Sequence, residues 1–322
     1  MQYKILALTD ATPDGAMSYY RVGRPLGIMQ GIEYDITQYN DSMSWDVLQR
    51  FNVLLVQRPQ SELHYSIIIR AKRLGLKIWA DYDDMLWGVT SDSPAWEHYQ
   101  DKKIIECIKQ CMSEADVISV STDKLQDELR KFSGRESVVV RNAIDKKSEC
   151  KYKHHKRILW RGGETHKKDL LLEREELVEF AQSNEDIRFI FFGMQPWFVT
   201  DYMPNWVHAG FTDLMTYFGV LEKIDAGFAY IPLWDSPFNH CKSDIAALEA
   251  VNAGMLPVVS PGFSEFASYT PQECNVTTAT EGLSWYLGRS EDELRNLHKD
   301  LHDNLRLLKT ENIKRWKILE GL

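Results

Sequence analysis

Short apolar runs of strand length alternate with longer segments of helical period along almost the whole chain, and this alternation restricts the fold more than any other feature. The pattern is typical of βαβ units, in which parallel strands form a sheet that helices cover on both faces. In the first half we predict strands at residues 4–9, 34–39, 53–58, 77–82, 116–121 and 138–142. In the second half we predict strands at residues 157–162, 188–193, 206–211, 225–232, 256–261 and 275–279.

A polar and strongly charged stretch, DKKSECKYKHHKR at residues 145–157, interrupts this alternation and cannot bury a core face. With 322 residues the chain also exceeds the size at which one hydrophobic core usually stops growing. We therefore expect an α/β protein with two doubly wound, Rossmann-like domains that face a cleft. The first domain is residues 1–145, the linker 146–156 and the second domain 157–289. Leucines at helical spacing predict amphipathic helices in residues 290–322. The sequence leaves open whether these helices pack back on the first domain.

The composition argues against several classes of protein. No stretch approaches the ~20 apolar residues that a membrane helix needs, and the opening MQYKILALTD is typical of a first strand rather than a signal peptide. Five cysteines without paired spacing argue against a disulfide framework and favour the cytoplasm. No metal site is predicted. The net charge of −9 gives no general attraction to nucleic acid, although a local basic groove stays compatible with it.

The segment between the strands predicted at residues 225–232 and 256–261 has the residues that most clearly indicate a binding site. Ligands of open α/β sheets bind beyond the carboxyl ends of the strands, and Lys242 and Ser243 follow such an end. With Ser243 as its N-cap, the next helix would present unpaired N–H groups to a diphosphate, and Glu249 would reach a ribose diol. The alternative is that Ser243 only caps the helix and Glu249 is a solvated side chain.

The run KSDIAALEAVNAGMLPVVS, residues 242–260, resembles the donor-binding segment of retaining GT-B glycosyltransferases of family 4, especially their short phage and bacterial members. The resemblance implies that Glu249 holds the donor ribose and that Ser243 and its neighbouring amides hold the diphosphate. Many members carry a second glutamate eight positions earlier, which contacts the transferred sugar. This chain has Cys241 there.

A second segment, RILWRGGETHKKDL at residues 157–170, is similar to the strand and loop that open the second domain in this family. It adds Arg161, Gly163, His166 and Lys167 to the predicted donor site, with Arg161 and Lys167 as the preferred pair that neutralises the leaving diphosphate. The alternative for Lys167 is an exposed charge at a helix start. In the relatives a glycine like Gly15 and an asparagine like Asn142 also stand at the cleft, so we count both with the donor site.

The first domain supplies the predicted acceptor side. Tyr20 and Arg21 begin the helix after the first strand, and Asp81, Asp83 and Asp84 end the fourth. Carboxylates this close repel one another unless they are protonated, hydrogen-bonded or facing a cation, which indicates function. We predict that Asp83 or Asp84 positions or deprotonates the acceptor hydroxyl and that Tyr20, Arg21 and Asp81 contact the acceptor. A solvated turn is the alternative.

The resemblance implies transfer of a hexose or pentose from a nucleotide sugar, with a UDP-sugar favoured, retention of configuration and no other cofactor. The acceptor is either a saccharide or glycan, or hydroxymethylated pyrimidine in phage DNA, which places the protein in the host cytoplasm if it is phage-encoded. A basic rim for DNA would use Arg21, Arg24, Lys146, Lys147, Lys151 and Lys153. Other hypotheses are an inactive nucleotide-sugar binding protein and an NAD-dependent oxidoreductase, which the missing glycine fingerprint disfavours.

Overall fold

A computed structural model describes residues 2–13, 15–39 and 45–322. In these residues the first half forms a sheet of six parallel strands in the order β2-β1-β3-β4-β5-β6. The strands are β1 (Tyr3–Thr9), β2 (Ile32–Gln38), β3 (Val53–Gln57), β4 (Lys77–Tyr82), β5 (Val117–Val120) and β6 (Val138–Val139). The central strand β3 is buried over its whole length, as expected for a sheet covered on both faces.

The second half forms a parallel sheet of five strands, within the same described ranges, in the order β11-β10-β7-β8-β9. The strands are β7 (Arg157–Gly162), β8 (Arg188–Gly193), β9 (Trp206–Ala209), β10 (Phe228–Ile231) and β11 (Leu256–Val259). The prediction of two doubly wound domains is confirmed. The strand predicted at residues 275–279 is wrong, because Thr278 caps a helix there and its hydroxyl accepts a hydrogen bond from the Glu281 amide at 3.1 Å.

Helices cover both faces of both sheets. In the first half they are α1 (Ala16–Ser18), α2 (Arg24–Ile28), α3 (Glu62–Arg73), α4 (Trp96–Gln100), α5 (Lys102–Glu114) and α6 (Asp123–Ser133), and a π-helical turn, Tyr19–Gly23, joins α1 to α2. In the second half they are α7 (Lys167–Leu172), α8 (Arg174–Ser183), α9 (Trp197–Tyr202), α10 (Leu214–Lys223), α11 (Pro237–His240), α12 (Ile245–Asn252), α13 (Ala279–Leu287), α14 (Glu291–Asp303) and α15 (Leu308–Gly321). Short 3₁₀ turns span Trp45–Arg50, Leu86–Gly88, Glu164–His166 and Ser264–Tyr269.

Residues 145–156 contain no helix or strand and run against the second domain. The Lys153 amide donates to the Gly254 carbonyl at 2.9 Å. Gly254 has a φ of +91°, and a Cβ there would lie 2.4 Å from the Lys151 carbonyl oxygen. Only glycine therefore permits both the left-handed backbone and the close approach of this connection.

The last helix, α15, packs on the first domain. Its Ile318 and Leu319 are buried in a cluster with Ile5, Val22 and Leu26 on one face of the first sheet. Just before α15, the Ile144 amide donates to the Arg306 carbonyl at 3.1 Å and the Leu308 amide donates to the Ile144 carbonyl at 2.8 Å. The chain thus passes between the two domains twice at neighbouring places. In the part of the chain described, no helix combines the length and the apolarity needed to cross a membrane.

Candidate functional site

A cavity of about 730 Å³ lies between the carboxyl ends of the two sheets. In the first sheet the strand order reverses between β1 and β3, and in the second between β7 and β10. Open α/β sheets bind ligands at these reversals. Gly15 and Arg58 bring the first reversal to the cavity, and Gly162 and Leu233 bring the second. The volume of the cavity is in the range of sites that bind small molecules.

Most of the predicted site residues line this cavity. They are Gly15, Tyr20, Arg21, Asp83, Asp84, Asn142, Arg161, Gly163, His166, Lys242, Ser243 and Glu249. Two do not: Asp81 lies behind Arg21, and Lys167 is exposed on α7. We call Tyr20, Arg21, Arg58, Asp83 and Asp84 the first-domain wall. We call Arg161, His166, Lys242, Ser243 and Glu249 the second-domain wall.

Glu249 lies on α12 with only 6 % of its surface exposed, and three side chains hold its carboxylate. The Tyr217 hydroxyl donates to Oε2 at 2.7 Å. Arg161 pairs with the same oxygen, and the Tyr20 hydroxyl reaches Oε1 from the first domain. Burial, together with the neighbouring Glu249, raises the pKa of Tyr20 well above its ordinary value, so its hydroxyl donates. Two phenol hydroxyls therefore donate hydrogen bonds to Glu249, the carboxylate that was predicted to hold a ribose diol.

The start of α12 differs from the prediction. The N-cap is Asp244 rather than Ser243. The Asp244 carboxylate accepts hydrogen bonds from the Arg306 guanidinium at 2.8 Å and from the Tyr269 hydroxyl at 2.8 Å. Ser243 instead accepts a hydrogen bond from the Asn142 side chain at 2.8 Å across the cleft. With Asp244 turned to Arg306, Ser243 and the first turn of α12 still line the cavity.

A polar chain connects Asn142 to the interior of the first domain. Arg21 donates to the Asn142 side-chain oxygen at 3.1 Å and makes a two-pronged ion pair with Asp81 at 2.9 and 2.6 Å. Arg21 is only 3 % exposed and Asp81 is also 3 % exposed. Asp81 therefore orients Arg21, and Arg21 cannot belong to an exposed basic rim.

Asp83 and Asp84 meet a cation that the sequence analysis missed, Arg58 at the end of β3. Its guanidinium lies 2.5 Å from Asp83 and 2.7 Å from Asp84. Arg58 has a φ of +48°, a left-handed conformation that non-glycine residues rarely adopt and that is often found at functional sites. Although burial alone would raise it, the Arg58 charge holds the pKa of Asp83 below its ordinary value. An ion-paired Asp83 with a lowered pKa is suited to positioning rather than to proton abstraction.

His166 ends the turn after β7 and is held by Asp169, a second residue that the sequence analysis did not select. The imidazole Nδ1 lies 2.9 Å from Asp169 Oδ2, and Asp169 is only 2 % exposed. The other Asp169 oxygen accepts from the Trp234 amide at 3.1 Å and from the Asn239 side chain at 2.7 Å. Asp169 thereby joins the turn after β7 to the loop after β10.

Cys241 does not line the cavity. It is fully buried in the core of the first domain, with its sulfur 3.8 Å from the Met85 sulfur, and its carbonyl accepts from the Thr122 hydroxyl at 3.0 Å. Burial raises the pKa of its thiol to about 12. The position at which many family 4 glycosyltransferases carry a sugar-contacting glutamate is thus a packing residue between the domains here.

Several residues of the predicted basic rim have partners. Arg24 pairs with Asp145, the Lys147 ammonium donates to the Asp303 carbonyl at 2.6 Å, and the Lys153 ammonium donates to two carbonyls of the second domain. No group of three or more metal-ligating His, Cys, Asp or Glu side chains was found in residues 2–13, 15–39 and 45–322.

Comparisons with known proteins support the fold at low sequence identity. No protein-family model and no curated protein sequence matches the chain. Sucrose-phosphate synthase from Thermosynechococcus elongatus superimposes with a TM-score of 0.70 at 11% identity, over 99% of this chain and 98% of that one. The pneumococcal O-GlcNAc transferase GtfA, solved with UDP and GlcNAc, gives a TM-score of 0.57 at 13% identity over 83% of this chain and 56% of its own.

A Listeria monocytogenes protein described as a UDP-N-acetylglucosamine 2-epimerase gives a TM-score of 0.57 at 10% identity, over 100% of this chain and 96% of that one. Identities this low establish a shared architecture and leave the chemistry to the site. Two doubly wound domains, parallel sheets and a cavity between two strand-order reversals agree with these structures: the chain has the GT-B fold.

Proposed function

We propose that the protein transfers a sugar from a nucleotide-sugar donor, with a UDP-sugar favoured, to a hydroxyl group of a saccharide acceptor. One observation carries the proposal. The second-domain wall places two cations, a histidine and the first turn of a helix around one side of the cavity, next to a buried carboxylate. This set of groups suits a diphosphate followed by a ribose.

The donor would bind along the second-domain wall. Lys242 makes no ion pair with any residue in the described ranges, and Ser243 lies beside it at the start of α12, so both can receive phosphate oxygens. Phe211 is 72 % exposed at the cavity, and Gly163 lies where an added Cβ would be 3.8 Å from its ring. That exposed ring offers a nucleobase a surface for stacking.

Glu249 would exchange partners when the donor binds. The ribose hydroxyls can replace the hydroxyls of Tyr20 and Tyr217, because both pairs are neutral donors to the same carboxylate. Arg161, which pairs with Glu249, would then lie between the carboxylate and the diphosphate and neutralise the leaving group.

The acceptor would approach the first-domain wall, where Arg58 fixes Asp83 and Asp84. Because Asp83 has a lowered pKa, we assign it the orientation of the acceptor hydroxyl. The departing diphosphate would take the proton on the same face, which fits a retaining reaction.

A saccharide is the favoured acceptor over DNA. Arg21 is buried, and Arg24, Lys147 and Lys153 are engaged with partners of the chain itself, so the predicted rim offers fewer charges to a phosphate backbone. Two carboxylates against one arginine also make the acceptor wall unfavourable for an anion.

The test is release of nucleoside diphosphate from UDP- and GDP-sugars, with and without a panel of saccharides and with 5-hydroxymethylated DNA. We expect UDP release that a saccharide accelerates, and its loss in Glu249→Ala but not in the matched surface variant Lys167→Met. Tight UDP binding without turnover would favour a binding protein. Conversion of UDP-N-acetylglucosamine to its 2-epimer would favour epimerase chemistry on the same fold, and nicotinamide reduction would favour an oxidoreductase.

A further inference from the structure

His166 has one ring nitrogen whose proton is fixed by the structure. Because a carboxylate only accepts hydrogen bonds, Nδ1 must carry the proton that it shares with Asp169 Oδ2 at 2.9 Å. Asp169 cannot turn away, since the Trp234 amide and the Asn239 side chain hold its other oxygen. The second ring nitrogen, Nε2, makes no hydrogen bond with any residue of the described ranges, and the side chain lines the cavity with 35 % of its surface exposed.

Three charged groups from different elements face this imidazole. Lys242 lies in the loop before α12, Arg161 lies at the end of β7, and Asp169 lies in α7, three residues after His166. Burial, with the repulsion of Lys242 and Arg161, holds the pKa of His166 below its ordinary value of 6.5, although Asp169 opposes the shift. The ligand-free ring is therefore neutral at pH 7, with a lone pair at Nε2.

An anion in the cavity would reverse this balance. The diphosphate assigned to this wall would lie near the same cations that disfavour an imidazolium, and its own charge would favour one. Asp169 would already hold the other end of the ring.

We propose that His166 takes up one proton when a nucleoside diphosphate enters the cavity and that Asp169 is its positioning residue, an inference that rests on the proposed function. The proton comes from solvent and forms an Nε2–H bond that donates to a phosphate oxygen. It returns to solvent when the nucleotide leaves, so no other group changes its protonation.

The proton uptake makes binding depend on pH. Between the pKa of His166 in the ligand-free protein and its higher pKa in the complex, nucleotide affinity falls by up to about tenfold per pH unit as pH rises. His166→Asn keeps a side-chain donor for Asp169 but has no titrating nitrogen. The free nucleotide titrates identically in both experiments, so the difference between the two pH profiles reports the titration of His166 and its contact with the phosphate.

The experiment is NMR of protein labelled at histidine Cε1, titrated with pH alone, with saturating UDP and with inorganic pyrophosphate. His166→Asn identifies the signal by its loss. We expect UDP to raise the pKa of His166 by about one unit or more. In Asp169→Asn the pKa in the UDP complex should be lower than in the unsubstituted protein, a change that a merely structural role of Asp169 would not produce.

UDP binding with an unchanged His166 pKa overturns the inference and leaves the proposed function standing. A shift with pyrophosphate but no binding of UDP supports the proton uptake at an anion site and overturns the assignment of a UDP-sugar as the donor. Failure of both ligands to bind overturns both.

Discussion

The two walls of the cavity differ in how their charged side chains are paired. On the first-domain wall the cations Arg21 and Arg58 are buried and paired with carboxylates of the same domain. On the second-domain wall Lys242 makes no ion pair within residues 2–13, 15–39 and 45–322, and the Glu249 carboxylate is held partly by neutral hydroxyls. Internally paired charges stabilise shape, whereas charges that lack such partners remain available to a ligand. Substitutions of Arg58 and Asp83 should therefore act mainly on folding and a substitution of Lys242 mainly on binding, whereas Glu249 pairs with Arg161 inside the second-domain wall.

The largest expected effect is on stability. Arg58→Ala leaves the largely buried Asp83 and the half-buried Asp84 without their cation, so the free energy of unfolding should fall by about 3–5 kcal/mol. Urea unfolding followed by circular dichroism measures it. Lys242→Ala is the matched control and should change stability by less than about 0.5 kcal/mol. Equal losses in both variants would remove the contrast between the walls.

Glu249→Ala should lower UDP affinity by about 10- to 150-fold, because a charged acceptor that binds the ribose contributes about 1.5–3 kcal/mol. Isothermal titration calorimetry gives the dissociation constants, with the melting temperature as a check on folding. Tighter UDP binding in this variant would instead mean that Glu249 competes with the diphosphate for Arg161.

Asp83→Asn should cost about 1–3 kcal/mol of stability at pH 7. The sign follows from the lowered folded pKa of Asp83: its contribution is full above the ordinary value of 3.8 and is lost as pH falls towards the folded value. The difference between the two proteins, measured by urea unfolding from pH 7 to pH 3, should therefore shrink on acidification. A constant or growing difference would contradict the ion pair.

Lys242→Met should weaken UDP binding by about tenfold while leaving the unfolding curve unchanged, because a charge-assisted phosphate contact contributes roughly 1.5 kcal/mol. Lys167→Met, outside the cavity, should bind UDP normally. If Lys167→Met weakens binding and Lys242→Met does not, the donor binds at the exposed face of α7 rather than in the cavity.

The smallest expected effect concerns Tyr20. Tyr20→Phe removes the hydroxyl that must leave Glu249 before the ribose binds, so UDP affinity should rise by a few-fold, about 0.5–1 kcal/mol. Fluorescence or calorimetric titration resolves a change of this size. Weaker binding would show that the Tyr20 hydroxyl contacts the nucleotide itself.

The architecture was predictable because the period of the apolar pattern and the polar linker are properties of the local sequence. The residues of the donor wall were predictable for a related reason, since they follow strand ends and strand ends meet at one edge of a sheet. Lys167 shows the limit of that reasoning. It directly follows His166, yet His166 ends a 3₁₀ turn and lines the cavity, whereas Lys167 begins α7 and faces solvent.

Contacts between distant parts of the chain were not predictable. Arg58 and Asp83 are 25 residues apart in the sequence. The residue types also do not predict that the arginine at the end of β3 adopts a left-handed backbone conformation. Tyr217 reaches Glu249 across 32 residues, and Cys241 enters the core of the other domain. Many members of the resembling family carry a sugar-contacting glutamate at the position of Cys241, whereas the way the two domains meet makes Cys241 part of the packing here.

The return of α15 to the first domain has a consequence for synthesis on the ribosome. Ile318 and Leu319 cover a face formed by Ile5, Val22 and Leu26, which are made roughly 290 to 310 residues earlier. A chain that folds as it emerges must therefore expose that apolar face until α15 is translated, which creates an interval in which a chaperone or a second nascent chain can bind it. Ribosome-stalled chains that end before residue 308 should aggregate more readily than chains in which an added C-terminal linker carries α15 out of the exit tunnel.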